Sequence, residues 1–207
     1  MRIIAPSTEI LTPLDGDTIL KHIELCGRVC YKSEGLITED SAERFVRGII
    51  KRGHEAVLEH FSFSVRFIVD RGVSHEIVRH RLASYCQEST RYCNYMDGKF
   101  GEEITVIKPY YLKEGTIPFA EWFKACMSAE TAYENLIADG NSAQEARAVL
   151  PNSLKTELIM TANLREWRHF FKLRTAPAAH PQMREVTIPL LREVQRKIPV
   201  VFEDINP

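Results

Sequence analysis

Several features that would assign the chain to a special class are missing from its 207 residues. No apolar run approaches the length of a membrane span. The opening Met1 to Pro6 reads as a short strand ending at a proline, without the apolar core and small-residue cleavage site of a signal peptide. Cysteine is sparse, with Cys26, Cys30, Cys86, Cys93 and Cys126 scattered and odd in number. Cys26 and Cys30 have no second pair to complete a zinc site, so reduced thiols in a cytoplasmic protein are expected. Neither G-x-G-x-x-G nor a Walker loop occurs, which excludes Rossmann and P-loop nucleotide binding. Excess charge of one sign is lacking too. Lys and Arg number 27 against 28 Asp and Glu, so no global field draws the chain to nucleic acid or membrane. No internal repeat or Pro/Gly/Ser-rich linker divides the sequence, and one domain over residues 1–207 is expected.

What is present is an ordinary globular composition with 44% hydrophobic residues. Phe61 to Asp70 alternates apolar and polar residues and predicts a strand. Further strands are expected at the start, near Ile104 to Ile107, and over Leu154 to Thr161. Helices are expected over Asp17 to Cys30, from Asp40 to Gly53, and from Val73 to about Arg81. Others should cover Ala120 to Ala138, Asn141 to Leu150, Leu164 to Leu173 and Pro181 to Arg196. Asp40 could cap the second helix with Glu43 three residues on, and Gly53 suits its exit. Strands and helices mixed without βαβ regularity indicate an α/β, or α+β-like, fold with a central mixed sheet flanked by helices.

Metal motifs fail on spacing. His54 and His60 are six apart and would face about 240° away from each other on a helix, and His75 with His80 fails in the same way. No metal site is expected.

Two arginine-rich stretches carry more information. Arg79 to Tyr92 holds three arginines, one histidine, three Ser/Thr hydroxyls and two tyrosines against a single acid. Arginine suits bidentate phosphate binding and stacking on planar rings. A solvated charged turn is the bland alternative. Asn163 to Arg174 is the second stretch. Asn163 with Glu166 has the form of a helix N-cap, Arg165 and His169 share a face at i and i+4, and Arg174 would favour a helix C-terminus without any ligand.

In combination, Arg79-His80-Arg81, seven residues, Ser89, and Arg91-Tyr92 resemble the R-H-R-x7-S-x-R-Y signature of the flavin-dependent thymidylate synthases. His54 to His60 is similar to that family's H-x-x-x-x-E-H element, and Arg147 to Pro151 to its R-x-x-L-P. Asn163-x-Arg165 through Leu173-Arg174 is a fourth match. The resemblance implies synthesis of dTMP from dUMP, with methylenetetrahydrofolate as carbon donor, NADPH as reductant and FAD between them. It implies a homotetramer with active sites at subunit interfaces. It also implies FAD contacts from His54, Glu59, Arg79, His80, Arg81, Asn163, Arg165 and His169. For dUMP it implies Glu76, Arg79, Gln87, Glu88, Ser89, Arg91, Arg147 and Arg174. Arg174 would polarise the uracil, and no enzyme nucleophile is expected.

Many members carry an acid where Gln87 stands and Gln where Glu76 stands, and Ala179 to Arg184 keeps only the ends of the family's A-Q-x-E-x-R. Two other readings compete. One is a cysteine-dependent nucleotide-modifying transferase, with Cys86 as nucleophile and His80 as base. The other is a single-stranded nucleic-acid module stacking bases on Tyr85, Tyr92 and Tyr95, which the neutral charge disfavours.

Overall fold

The computed structural model describes residues 1–207 as a mixed α/β protein. In chain order its elements are β1 (Arg2–Ile4), β2 (Ser7–Ile10), α1 (Gly16–Val29), α2 (Ser41–Lys51), β3 (Ser62–Asp70), α3 (Arg71–Ile77), β4 (Ala83–Gln87), β5 (Thr105–Ile107), α4 (Ile117–Ala138), α5 (Ala143–Ala146), β6 (Lys155–Asn163), α6 (Leu164–Arg174), α7 (Pro181–Lys197) and α8 (Pro199–Phe202). The strands divide between two sheets rather than forming the single central one expected. β1 pairs in parallel with β5, with Ile3 opposite Val106, and the other sheet has the order β2-β3-β6-β4. No helix is long and apolar enough to cross a membrane.

By its internal contacts the chain groups into two compact units. The first comprises Met1–Ser7, Phe67–Arg79 and Cys86–Leu158; the second comprises Thr8–Arg66, His80–Tyr85 and Ile159–Pro207. The first unit's core gathers Tyr95, Ile104, Val106, Cys126, Tyr133, Ala146 and Leu154. In the second, Trp167 stacks on Phe63 with ring centroids 4.7 Å apart, and its Nε1–H donates to the Phe63 carbonyl. Phe170, Phe171 and Phe202 extend the same aromatic cluster.

Local chemistry explains most of the boundaries. In β3 the odd-numbered Phe63, Val65, Phe67 and Val69 are buried, as the alternation predicts. Asp15 caps α1 by accepting from the amides of Asp17 and Thr18. Gly16 is required by close approach, since a Cβ there would lie 2.4 Å from the Lys197 carbonyl oxygen. Gly53 leaves α2 at φ +72°, the left-handed exit expected of it. Asp40 stands at the N-cap of α2, but its carboxylate accepts from the Thr38 hydroxyl and makes no capping bond.

Other expectations need correction. α3 stops at Ile77, short of Arg81. The helix expected over Asn141 to Leu150 is α5 followed by a 3-10 turn at Arg147–Val149, where Pro151 lies too close for regular helix to continue. His54 to His60 contains a 3-10 segment, Glu55–His60. β2, β4 and α8 were not anticipated. β4 lies at the end of its sheet and is built from small and polar residues, so it shows no apolar alternation.

Candidate active site

In the second unit, α6 and the segment before β4 line an open cavity of about 490 Å³ with Glu55, Glu59, Arg81, Leu82, Asn163, Arg165, Glu166, His169 and Lys172. Five of the residues that the resemblance assigned to the cofactor therefore meet here: Glu59, Arg81, Asn163, Arg165 and His169. Asn163 serves twice, since its Oδ1 accepts from the Glu166 amide at 2.9 Å and caps α6 while its side chain edges the cavity. Arg165 and His169 share the cavity-lining face of α6 as their spacing predicts. Arg165 donates to Glu59 at 2.7 Å, and both groups stay substantially exposed. His54 lies elsewhere, on a larger cavity of about 660 Å³ with Arg28, Arg44, Phe45 and Arg52.

His80 is buried, and both of its ring nitrogens are engaged. Arg174 Nε–H donates to His80 Nε2 at 2.9 Å, so that nitrogen carries a lone pair. The proton of the neutral ring is then on Nδ1, which faces Glu166 Oε1 at 3.3 Å. Burial, with Arg174 and His169 adding to it, lowers the His80 pKa to about 4, whereas burial raises Glu166 to about 7. The ring is thus neutral at pH 7, and its link to Glu166 is a hydrogen bond more than an ion pair. Phe170 packs edge-on against the imidazole at 4.9 Å. Tyr85 donates its hydroxyl to the His80 carbonyl at 3.0 Å, and burial followed by the Glu166 charge pushes the phenol up to about 12.

His80, Glu166 and His169 bring potential ligand atoms within 4.8 Å of one another. With Nε2 of His80 accepting from a guanidinium and Nδ1 directed at Glu166, neither ring nitrogen is presented to a cation.

In the first unit a second polar cavity, of about 440 Å³, is lined by Arg71, Thr90, Gln144, Arg147 and Asn152 with Ala148, Leu150, Pro151 and Leu154. Of the residues assigned to dUMP, Arg147 lies on it and donates to the Thr90 hydroxyl at 3.4 Å. Arg91 sits over the Tyr92 ring and donates to Gln144 at 3.5 Å, and the Ser89 hydroxyl accepts from the Arg91 amide. Gln87 and Glu88 have protein partners. Gln87 donates its amide to the hydroxyls of Ser74 and Thr156. Glu88 accepts from the Tyr95 hydroxyl at 2.8 Å and from Lys155 at 2.7 Å, and Lys155 also reaches Glu157. Burial works against the Lys155 charge, but the two carboxylates outweigh it and hold its pKa above the usual lysine value. Burial, reinforced by Glu88, raises the Tyr95 phenol as well. Glu76 is half-buried and Arg79 exposed, and neither lines this cavity.

Sequence reasoning missed Arg71, Gln144 and Asn152 on this cavity, and Glu55, Glu166 and Lys172 on the other. Only Lys172 and Glu166 carried a signal, as charged neighbours of Arg165 and His169 on one helix. The competing readings lose their chemistry here. His80 cannot be a ready base for Cys86, because both ring nitrogens are occupied. Tyr85 and Tyr95 are tied to His80 and Glu88, which leaves Tyr92 as the exposed ring of the three.

Residues 16–200 match the family model described as thymidylate synthase complementing protein. The flavin-dependent thymidylate synthase of Geobacter sulfurreducens is 35% identical over 192 residues, covering 89% of this chain and 81% of the relative. That of Pyrococcus furiosus is 36% identical over 197 residues, covering 94% and 78%. Among solved structures, the UMP/dUMP methylase PolB from Streptomyces cacaoi, bound with 5-Br dUMP, shares the fold with a TM-score of 0.79. It is 22% identical, and the superposition covers 98% of this chain and 96% of that one. With the arginine signature in place and relatives of this identity along most of its length, the chain belongs to the flavin-dependent thymidylate synthase family of enzymes.

Proposed function

We propose that the chain forms dTMP from dUMP, taking its carbon from methylenetetrahydrofolate and its reducing equivalents from NADPH through bound FAD. The observation that carries this reading is the polar cavity on α6, where three basic and three acidic side chains meet and five of the lining residues are ones that the family resemblance names. Its lining fits a flavin dinucleotide in part. Arg81, Arg165 and Lys172 supply cations for a pyrophosphate, and Leu82, 80% exposed, offers an apolar face to a planar ring. When bound, the flavin supplies the electron transfer between reductant and nucleotide.

The residues of the chain do the rest. Asn163 and His169 edge the same cavity and would orient the cofactor, while Glu59 holds the Arg165 guanidinium in place. In the other unit Arg147 and Arg91 would take the dUMP phosphate, with Ser89 fixing the turn that carries Arg91. Glu88 and Gln87 then serve by holding this segment on Lys155, Ser74 and Thr156, whereas Glu76 and Arg79, which do not line the cavity at Arg147, would contact dUMP from outside it. Arg174 would direct its guanidinium at the uracil carbonyl, where negative charge develops as the ring is activated at carbon 5.

A cavity of this size admits only part of a dinucleotide, which supports a homotetramer whose sites are completed by neighbouring copies of a one-domain chain. A cytoplasmic location accompanies this reading. The test is spectroscopic and kinetic. Purified protein should be yellow, bleach with NADPH and form dTMP. Arg174→Ala should retain flavin yet lose turnover by roughly 10²–10³-fold, and Arg81→Ala should release flavin. A protein that cannot take up FAD overturns the proposal.

A further inference from the structure

We propose that Glu166 is a positioning residue for Arg174, acting through His80 by fixing which imidazole nitrogen carries the proton. The inference rests on the reading of Arg174 as the group that meets the uracil. Two side chains of α6 and one from far earlier in the sequence form a chain of contacts: the Glu166 carboxylate, the His80 imidazole and the Arg174 guanidinium. A guanidinium only donates, so the nitrogen facing it must be an acceptor. Imidazole in water prefers its proton on Nε2, the tautomer that would set N–H against N–H here. A carboxyl oxygen opposite Nδ1 reverses that preference.

The ring has little freedom to answer in another way. It is 4% exposed, Phe170 closes one side at 4.9 Å, and His169 approaches edge-on at 5.7 Å. Protonating the ring so that it donates on both sides is costly, since burial and the Arg174 charge both oppose it. Glu166 is itself held in position. It lies in the first turn of α6, its amide bonded to Asn163, and Trp167 anchors the same turn in the aromatic core. Glu166 therefore transmits the geometry of the helix start to Arg174, the last residue of the same helix.

The experiment uses ring-nitrogen NMR on isotope-labelled histidine at pH 8, together with steady-state kinetics and flavin titration. In the wild type His80 should show a protonated Nδ1 and a bare Nε2. Glu166→Leu should move the proton to Nε2 and lower kcat by roughly tenfold or more, with a smaller change in KM for dUMP. Glu166→Gln keeps a carbonyl acceptor, so it should restore the Nδ1–H signal and recover most of the lost kcat. An unchanged His80 tautomer in folded Glu166→Leu overturns the proposal. So does a Glu166→Gln variant that keeps the Nδ1–H signal yet is as slow as Glu166→Leu. The ring signals are read without turnover, so a wild-type protein that makes no dTMP fails the functional reading while the tautomer still judges this one.

Discussion

His80 and Glu166 lie 3.3 Å apart, yet their burial acts on acid stability in opposite directions. The His80 pKa in the fold, about 4, is below its ordinary 6.5. Folding is therefore favoured above pH 6.5, and this contribution is lost as pH falls toward 4, where the ring must charge. Glu166 runs the other way, with a folded value of about 7 above its ordinary 4.5. The native state then holds its proton more tightly than the unfolded one. Stability from this group is present below pH 4.5 and is lost as pH rises through 7. Each contribution is about 3 kcal/mol at most, and between pH 4.5 and 6.5 the two slopes nearly cancel. Replacing Glu166 by Gln removes one of them. We expect the variant's stability relative to wild type to grow by up to about 3 kcal/mol between pH 4.5 and pH 8. Urea unfolding across that range measures it, and a difference that does not change with pH would exclude the buried acid as its source.

α6 shows how one helix is assigned to different tasks along its faces. Arg165 and His169 line the cavity, whereas Arg168 is 1% exposed and turned into the protein. Its guanidinium bonds Glu55, Asp204 and the Val201 carbonyl, so it fastens α8 and the chain beyond it. Removing one partner of a buried ion pair costs more than removing both. Arg168→Ala should therefore lose about 3 kcal/mol, the lower end of that class because Asp204 is itself 45% exposed. Hydrogen exchange should speed up first in α8; if α8 stays protected while the rest loosens, the fastening role is wrong. The sequence made the helix itself legible through Trp167, Phe170, the Asn163 cap and the Arg165–His169 spacing. It could not separate Arg168 from Arg165, because the partners that bury Arg168 are 113 and 36 residues away. The same limit hid the His80 tautomer, which depends on groups 86 and 94 residues off. β3 was legible because its period is local. β4 was not, because its place in the sheet comes from pairing with β6 and not from its own apolar pattern.

At the scale of the molecule, the question is whether the groups assigned to one active site come from one chain. Arg147 belongs to the first compact unit, where it lines the cavity of about 440 Å³, and Arg174 belongs to the second. A tetramer with shared sites would let a site take Arg147 from one copy and Arg174 from its neighbour, and mixing two defective variants tests this directly. Arg147→Ala retains Arg174, and Arg174→Ala retains Arg147, so an assembly of either variant alone carries one lesion in every site. If the two arginines come from different copies, randomly mixed assemblies should contain both wild-type groups in about a quarter of their sites. Unfolding and refolding an equimolar mixture should then restore roughly that fraction of wild-type turnover, while each variant refolded alone stays inactive. If both arginines come from the same copy, no arrangement of subunits can rebuild a site, and the mixture remains as inactive as its parents. Sedimentation of the mixture shows whether the subunits have exchanged into the same assemblies, so an inactive mixture of demonstrated hetero-oligomers places both arginines on one chain.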